Sequence, residues 1–273
     1  MSSENHIEKF KGRSALVTGG AAGIGWATAC TLADAGADVA ICSRPGKTLD
    51  GAAEKIANSK FPKISCFQAD VSSDREMHGL FAELATKFGQ LDFLVNNAGI
   101  DSFCDPADFS LAQFRHVMDV NVASVFLAVS EALPLMRKAK SASIVNVGSI
   151  HGHLTTSGRA DYVTSKTALI GATRALALDL GGVGIRVNLV SPGAIETPML
   201  VRGWEEKAPG IDINVLKERA GALHPCGRIG TPQDIANAIL FLLGEEAGFI
   251  TGADLLVDGG MHTKLAISSI WET

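Results

Sequence analysis

Thr18-Gly19-Gly20-Ala21-Ala22-Gly23-Ile24-Gly25 is the stretch whose reading settles the fold. It follows directly on the short apolar run Ser14-Ala15-Leu16-Val17 and leads into helical spacing from Trp26 to Ala35, stopped by Gly36. Glycines at 19, 23 and 25 permit a tight turn, and let the backbone approach a pyrophosphate at the N-terminus of the following helix. A glycine-rich loop by itself is usually only a turn. Strand, glycines and helix in this order, at the head of a chain of alternating β-type and helical segments, read as a dinucleotide-binding unit. The expected contacts in this loop are Gly19, Ala22, Gly23, Ile24 and Gly25. The predicted fold class is α/β: a single doubly wound, mainly parallel sheet flanked by helices.

Working outward, a second strand spans Asp38–Ser43, a helix lies around Thr48–Ser59, and a third strand covers Ile64–Gln68. A helix from near Asp74 to Phe88 leads to a strand at Leu91–Val95. Helical spacing then runs from Leu111 to Lys138, where Pro134 is expected to bend or divide it. Ile144-Val145-Asn146-Val147 is an apolar, β-branched strand ending at Ser149, and Ile185–Val190 is another. Residues 198–226 hold Trp204, Pro209 and Pro225 without clear periodicity, and such segments in compact domains are functional or mobile, so they are expected to form a substrate lid. A helix to Leu243 and a strand Leu255-Leu256-Val257 close the pattern.

The end of the second strand bears on cofactor choice. NAD-selective folds of this type place an acidic residue there to bond the ribose 2′-hydroxyl. Here the place holds Ser43 followed by Arg44, and Asp38 lies at the wrong end of the strand. A hydroxyl plus a guanidinium suits a 2′-phosphate, so NADP(H) is expected, with NAD(H) the second reading.

A second stretch carries chemistry. Ser149-Ile150-His151-Gly152-His153-Leu154 ends a strand, and Asp161-Tyr162-Val163-Thr164-Ser165-Lys166 opens an Ala/Leu-rich helix that reaches Leu180 before Gly181-Gly182. Tyr162 and Lys166 stand at i and i+4 on one helical face. A phenol titrates near pH ~10, and a neighbouring ammonium is expected to pull it toward the working range. Tyr162 is the only tyrosine in the chain.

A strand-end Ser followed by Tyr-x-x-x-Lys resembles the short-chain dehydrogenase/reductase family, with 3-oxoacyl-reductase-like and sugar- or alcohol-dehydrogenase-like members. The Gly-x-x-x-Gly-x-Gly spacing at 19–25, the tetrad Asn96-Asn97-Ala98-Gly99 and the unit Gly227-Arg228-Ile229-Gly230-Thr231-Pro232 with Asp258-Gly259-Gly260 are similar to it as well. The resemblance covers Lys11 to Gly260 as one Rossmann-type domain, leaving residues 1–10 as an N-terminal extension and 261–273 as a tail. It implies that Tyr162 exchanges a proton with the substrate oxygen while Ser149 bonds the same oxygen. Lys166 would lower the tyrosine pKa and hold the nicotinamide ribose. It further implies that Asn121 completes the proton route through a water, and that Asp70 and Val71 contact adenine. Asn97, Ala98 and Gly99 would border the cofactor. In Ser191-Pro192-Gly193-Ala194-Ile195-Glu196-Thr197, Pro192, Gly193, Ile195 and Thr197 would cover the nicotinamide. Read from the residues alone, Asp70 equally suits a cap for the helix near Asp74, and Asn121 a locally bonded helix residue. NADP-using relatives often carry a basic residue just before the second glycine, where this chain has Ala22. Relatives commonly form tetramers through the two long helices and the C-terminal strand region, so a homotetramer, or a dimer, is implied.

At 273 residues the chain is long enough for a sizeable core. Charged residues make up 19% and hydrophobic ones 47%, with mean hydropathy +0.21, as a sheet buried on both faces demands. No apolar run is expected to approach the length that spans a membrane. Cysteines 30, 42, 66, 104 and 226 are scattered without a CxxC pair and read as reduced thiols, so a cytoplasmic protein is expected, with no metal. A net charge of −5 without a basic run makes no electrostatic case for nucleic acid. The implied function is hydride transfer between nicotinamide and a secondary alcohol or ketone carbon of a small molecule, with an NAD(H)-dependent sugar or polyol dehydrogenase of the same family as the alternative. A polar pocket would suit a sugar or polyol, and a lid with Trp204 and Met199 equally an acyl chain or a steroid-like ketone. A dinucleotide-binding regulatory protein that lost the chemistry would lack one of Asn121, Ser149, Tyr162 and Lys166; all are present. Asp101, His151, His153, Glu196 and Trp204 are the candidate substrate contacts.

Overall fold

The computed structural model describes residues 9–58, 63–103 and 105–263. The expected helix end at Ser59, Cys104, and most of the N-terminal extension and tail lie outside the described residues. The strands are β1 (Ser14–Thr18), β2 (Asp38–Ser43), β3 (Ile64–Gln68), β4 (Phe93–Asn96), β5 (Ala142–Val147), β6 (Ile185–Pro192) and β7 (Asp254–Val257). They form one seven-stranded sheet in the order β3-β2-β1-β4-β5-β6-β7, and every neighbouring pair is parallel. The expected doubly wound architecture is the one observed.

Both faces of the sheet are covered, which is why the strands carry no polar alternation. Successive side chains in a strand point to opposite faces. Leu16, Ala40, Leu94 and Ile144 pack under α3 (Asp74–Phe88), α5 (Ser124–Met136) and α6 (Ala160–Gly181). Val17, Ile41, Val95 and Val145 pack under α1 (Gly23–Asp34), α2 (Lys47–Ala57) and α9 (Pro232–Leu243). Each fully buried Leu or Ile contributes about 1.5–3 kcal/mol relative to exposure. Chain order reverses direction between β1 and β4, and the crevice at such a switch point is where open α/β sheets bind ligands.

Three local expectations are corrected. The long helical stretch is divided not at Pro134 but at a π-helical turn, Asp119–Ala123, between α4 (Leu111–Met118) and α5. Pro134 falls in the last turn of α5, where one lost N–H bond does not break the helix. The combined stretch 111–136, with a hydropathy of 1.4, is by length and composition apolar enough to cross a membrane, contrary to the expectation that no run approaches this. Its apolarity has another use here: Val125, Ala128, Val129, Ala132 and Leu135 pack in the core. Residues 198–226 are also not irregular. They form α7 (Pro198–Lys207) and α8 (Ile213–Ala222), capped by the side chains of Thr197 and Asp212.

Candidate active site

The glycine loop fits a dinucleotide because side chains would fill it. Gly19 and Gly23 take φ of 63° and 54°, the left-handed region that favours glycine. A Cβ at Gly25 would run into the Gly19 carbonyl and lie 2.5 Å from Asn97 Nδ2. Asn97 donates from Nδ2 to the carbonyls of Thr18 at 3.0 Å and Gly19 at 3.1 Å, while Thr18 Oγ1 accepts from the N–H groups of Asn97 and Ala98, each at 3.1 Å. The Asn97-Ala98 segment therefore clamps the loop. α1 starts at an Ala22 N-cap with no side-chain cap, which suits a bound pyrophosphate. Thr197 reaches the same crevice: a Cβ at Gly23 would lie 3.3 Å from its Cγ2.

Along the crevice, Ser43 ends β2 half-buried and Arg44 is exposed beyond it. Asp70 does not cap α3; Ser73 does. Burial pushes the Asp70 carboxyl up, but hydrogen bonds from the Ser72 hydroxyl and N–H and the charges of Arg44 and His116 outweigh it and hold the group below its usual range. Val71 beside it is buried. On the other side, Pro192 ends β6 and Gly193 lies so close to Asp258 that a Cβ would come within 2.8 Å of its Cα. Ile195 is buried, and Thr197 opens α7 by accepting from Leu200 N–H at 3.2 Å.

Tyr162 and Lys166 sit in the first two turns of α6, both buried. The Lys166 ammonium donates to the Val147 carbonyl at 3.1 Å and lies 5.7 Å from the Tyr162 ring centroid. A Cβ at Gly99 would lie 3.5 Å from Lys166 Nζ and 3.3 Å from Asn121 Oδ1, so these groups face one space. The π turn supplies the reason Asn121 points there. Its Oδ1 accepts from Ile100 N–H at 2.8 Å, and its Nδ2 donates to the Ile100 carbonyl and to Ser165 Oγ, each at 3.0 Å. Ser149, just past β5, stands close enough to the Tyr162 hydroxyl to favour the phenolate, and its Oγ accepts from His151 N–H at 3.1 Å.

The electrostatics differ from the sequence expectation. Burial pushes the Tyr162 phenol up to about 12, with the Asp101 carboxylate adding to the rise; the Ser149 hydrogen bond and Arg159 act against it. Burial likewise pushes Lys166 down to about 8, with Asp101 opposing. Lys166 is therefore not what brings the phenol down in this arrangement, because the desolvation acting on both groups is larger.

The candidate substrate residues divide. Asp101 is at the centre, ion-paired at 2.6 Å with Arg159, the residue before α6. The His151 ring meets Tyr162 edge-on, centroids 5.9 Å apart, and burial and the Arg159 charge hold it below its ordinary range. His153 instead pairs with Asp254 of β7 at 2.7 Å, and Glu196 with Lys217 of α8 at 2.5 Å. Trp204 lies half-buried within α7. Sequence reasoning missed Arg159 and His224. Arg159 precedes Tyr162 by three, a helical-face spacing that flags it. His224 is buried beneath the 192–194 segment, where its Nε2 accepts from Ala194 N–H at 3.3 Å. Among the described residues no His, Cys, Asp or Glu cluster is fit for a metal ion, and Cys30, Cys42, Cys66 and Cys226 are unpaired.

The family model described as enoyl-(acyl carrier protein) reductase matches residues 19–262. A 2,5-dichloro-2,5-cyclohexadiene-1,4-diol dehydrogenase of Sphingobium indicum is 37% identical over 93% of this chain and 98% of its own. A 3-oxoacyl-[acyl-carrier-protein] reductase of Aquifex aeolicus is 36% identical over 93% and 98%. The solved structure of an aldohexose dehydrogenase from Thermoplasma acidophilum superposes with a TM-score of 0.86 at 32% identity, covering 96% of this chain and 98% of that one. The glycine cradle and the grouping around Tyr162 thus recur in a chain that belongs to the short-chain dehydrogenase/reductase family, enzymes that use a nicotinamide dinucleotide to act on CH–OH and C=O groups.

Proposed function

We propose that this enzyme is an NADP(H)-dependent oxidoreductase working between a secondary alcohol and the corresponding ketone of a small molecule, with Tyr162 as the general acid and base. The observation that carries this reading is the convergence of Tyr162, Ser149, Lys166 and Asn121 on one space beside the glycine cradle. The dinucleotide, when bound, supplies or accepts the hydride. Gly19, Ala22, Gly23, Ile24 and Gly25 would hold its pyrophosphate, and Pro192, Gly193, Ile195 and Thr197 would flank its nicotinamide end. Ser43 and Arg44 would take the 2′-phosphate, with Asp70 and Val71 at the adenine.

Near neutral pH the Tyr162 phenol, pushed up to about 12, is protonated, and Lys166, at about 8, largely so. The pair is thus set to give a proton, the sense required when a carbonyl is reduced. Ser149 would bond the same oxygen, and Asn121 would hold a water that links Lys166 to solvent and so brings in the replacement proton. The helices α7 and α8 form the lid over residues 198–226, and residues 11–260 act as one domain. Exposed Phe126 and Leu178 on α5 and α6, with Phe241 and Phe249 near the C-terminal strand, support a homotetramer. Unpaired thiols support a cytoplasmic location.

Tyr162→Phe tests the reading. Positioned acid–base catalysis is worth ~10²–10⁴-fold in rate, so kcat should fall at least that far while cofactor binding stays close to the parent's. Activity within a few-fold of the parent would exclude the mechanism.

A further inference from the structure

We infer that the substrate is polyhydroxylated, a diol or hydroxyketone, and that Asp101 and Arg159 together read a second hydroxyl beside the reacting carbon. This rests on the oxidoreductase reading above and narrows its substrate.

The two side chains flank the reacting centre. Arg159 stands at the mouth of α6 with its guanidinium carbon 5.6 Å from the Tyr162 ring centroid and 4.0 Å from that of Phe103. Asp101 follows the Asn97–Gly99 clamp by two residues. Its charge reaches both Tyr162 and Lys166, as that of Arg159 reaches Tyr162. The lid closes on the same place: a Cβ at Gly203 of α7 would lie 3.7 Å from Asp101 Oδ2, and Lys207 at the end of α7 stands 4.3 Å over the Phe103 ring.

The pair is only half used by the protein. Arg159 donates from Nη1 to Asp101 Oδ1 at 2.6 Å, and Ser102 N–H gives to that same oxygen at 2.9 Å. Among the described residues Asp101 Oδ2 and the remaining Arg159 N–H groups have no hydrogen-bond partner. Neither residue holds a buried unsatisfied atom, and both are partly exposed, so these groups are open to solvent, with the Arg159 guanidinium beside the Tyr162 ring. A guanidinium has five donors and no acceptor, and a carboxylate only acceptors. An acceptor and donors side by side ask for a group that gives and takes at once. A hydroxyl does both. A second carboxylate would be repelled by Asp101, a lone carbonyl would leave Oδ2 unserved, and a hydrocarbon would strip water from both without replacing its bonds.

The test compares substrates that differ by one hydroxyl: butane-2,3-diol against butan-2-ol, and cis-cyclohexane-1,2-diol against cyclohexanol. For each, kcat/KM is measured with saturating cofactor for the parent and for Arg159→Gln and Asp101→Leu. Binding of the same compounds is followed by saturation-transfer NMR, which needs no turnover. Hydrogen bonds to charged groups predict that the parent prefers each diol by about ten- to a hundredfold, and that the ratio falls toward one in both variants. Parity in the parent, or a ratio that survives both substitutions, overturns the inference. Turnover of the monohydric alcohols at parity with the diols would sink it while leaving the oxidoreductase reading standing. No turnover with diol-selective binding would do the reverse, and no turnover with unselective binding overturns it. Should a variant fail to fold, the parent's ratio and NMR comparison decide alone.

Discussion

Alkaline titration reads a single residue in this chain, because Tyr162 is its only tyrosine. Burial lifts the phenol from an ordinary 10.0 to about 12, against the Ser149 hydrogen bond and the Arg159 charge. A separation of about two pH units corresponds to about 3 kcal/mol between the two protonation states. The folded value lies above the unfolded one, so the stability linked to Tyr162 is complete below pH 10 and is lost as the pH rises through about 12. Lys166 works in the opposite sense. Its folded value of about 8 lies below the ordinary 10.5, so the unfolded chain binds more protons between them and stability rises with pH across that window. Together the pair places the peak of its contribution near pH ~10. Phenolate absorbance in the near ultraviolet, followed against pH for the native protein and in denaturant, gives the two midpoints directly. We expect about 12 for the folded protein and ~10 in denaturant. Tyr162→Phe abolishes the signal, and Ser149→Ala moves the folded midpoint higher by removing a bond to the phenolate. A folded midpoint at or below the denatured one would refute the reasoning, since it would mean that the Lys166 ammonium outweighs desolvation.

Arg44→Ala should weaken NADP(H) binding by about ten- to a hundredfold with little change for NAD(H), and Ser43→Asp should reverse the preference; dissociation constants for both cofactors at fixed low salt decide it. A parent that binds both equally would make Arg44 a surface residue only. Gly25→Ala drives a methyl into the Gly19 carbonyl and Asn97 Nδ2, and overpacking of this kind costs about 1–3 kcal/mol, read as a lower urea midpoint together with weaker dinucleotide binding. An unshifted midpoint would show that the Asn97 clamp gives way freely.

The sheet was readable because its strands are short, continuously apolar and separated by helical spacing, so that β1 to β3 fell within a residue or so of expectation. The glycine loop and the Tyr162/Lys166 spacing stood out because each sets particular residues at fixed intervals, and the structure folds the loop tightly at Gly19 and Gly23 and buries both side chains on α6. What escaped depends on three-dimensional neighbours. Nothing in Asp119-Val120-Asn121-Val122-Ala123 announces a π turn; the turn is fixed by bonds from Asn121 to Ile100 and Ser165, which lie elsewhere in the chain. α7 and α8 hid behind Pro209 and mixed polarity, and Gly221 is their one buried residue. The phenol's upward shift was invisible because a sequence shows the ammonium beside it but not the burial that outweighs it. His153 illustrates the same limit: two residues from His151, it is taken by Asp254, a hundred and one positions away.

The packing of α1 on α9 sets the order in which the molecule is finished during synthesis. α1 emerges with the first strand, yet much of its apolar cover, Ile235 and Ile239 among it, lies on α9. Gln233 at the head of α9 reaches Thr31 of α1 at 2.9 Å across 202 residues, and Arg186 of β6 bonds the carbonyls of Leu242, Leu243 and Gly244 that end α9. Contacts of such separation form late, since the intervening chain must be ordered before they reward closure. Until then Ala29 and Leu32 lack part of their cover, and a nascent chain arrested before α9 presents that apolar face to chaperones or to its own copies. The half of the protein that carries the glycine loop therefore reaches its final form only after the half that carries Tyr162 has left the ribosome.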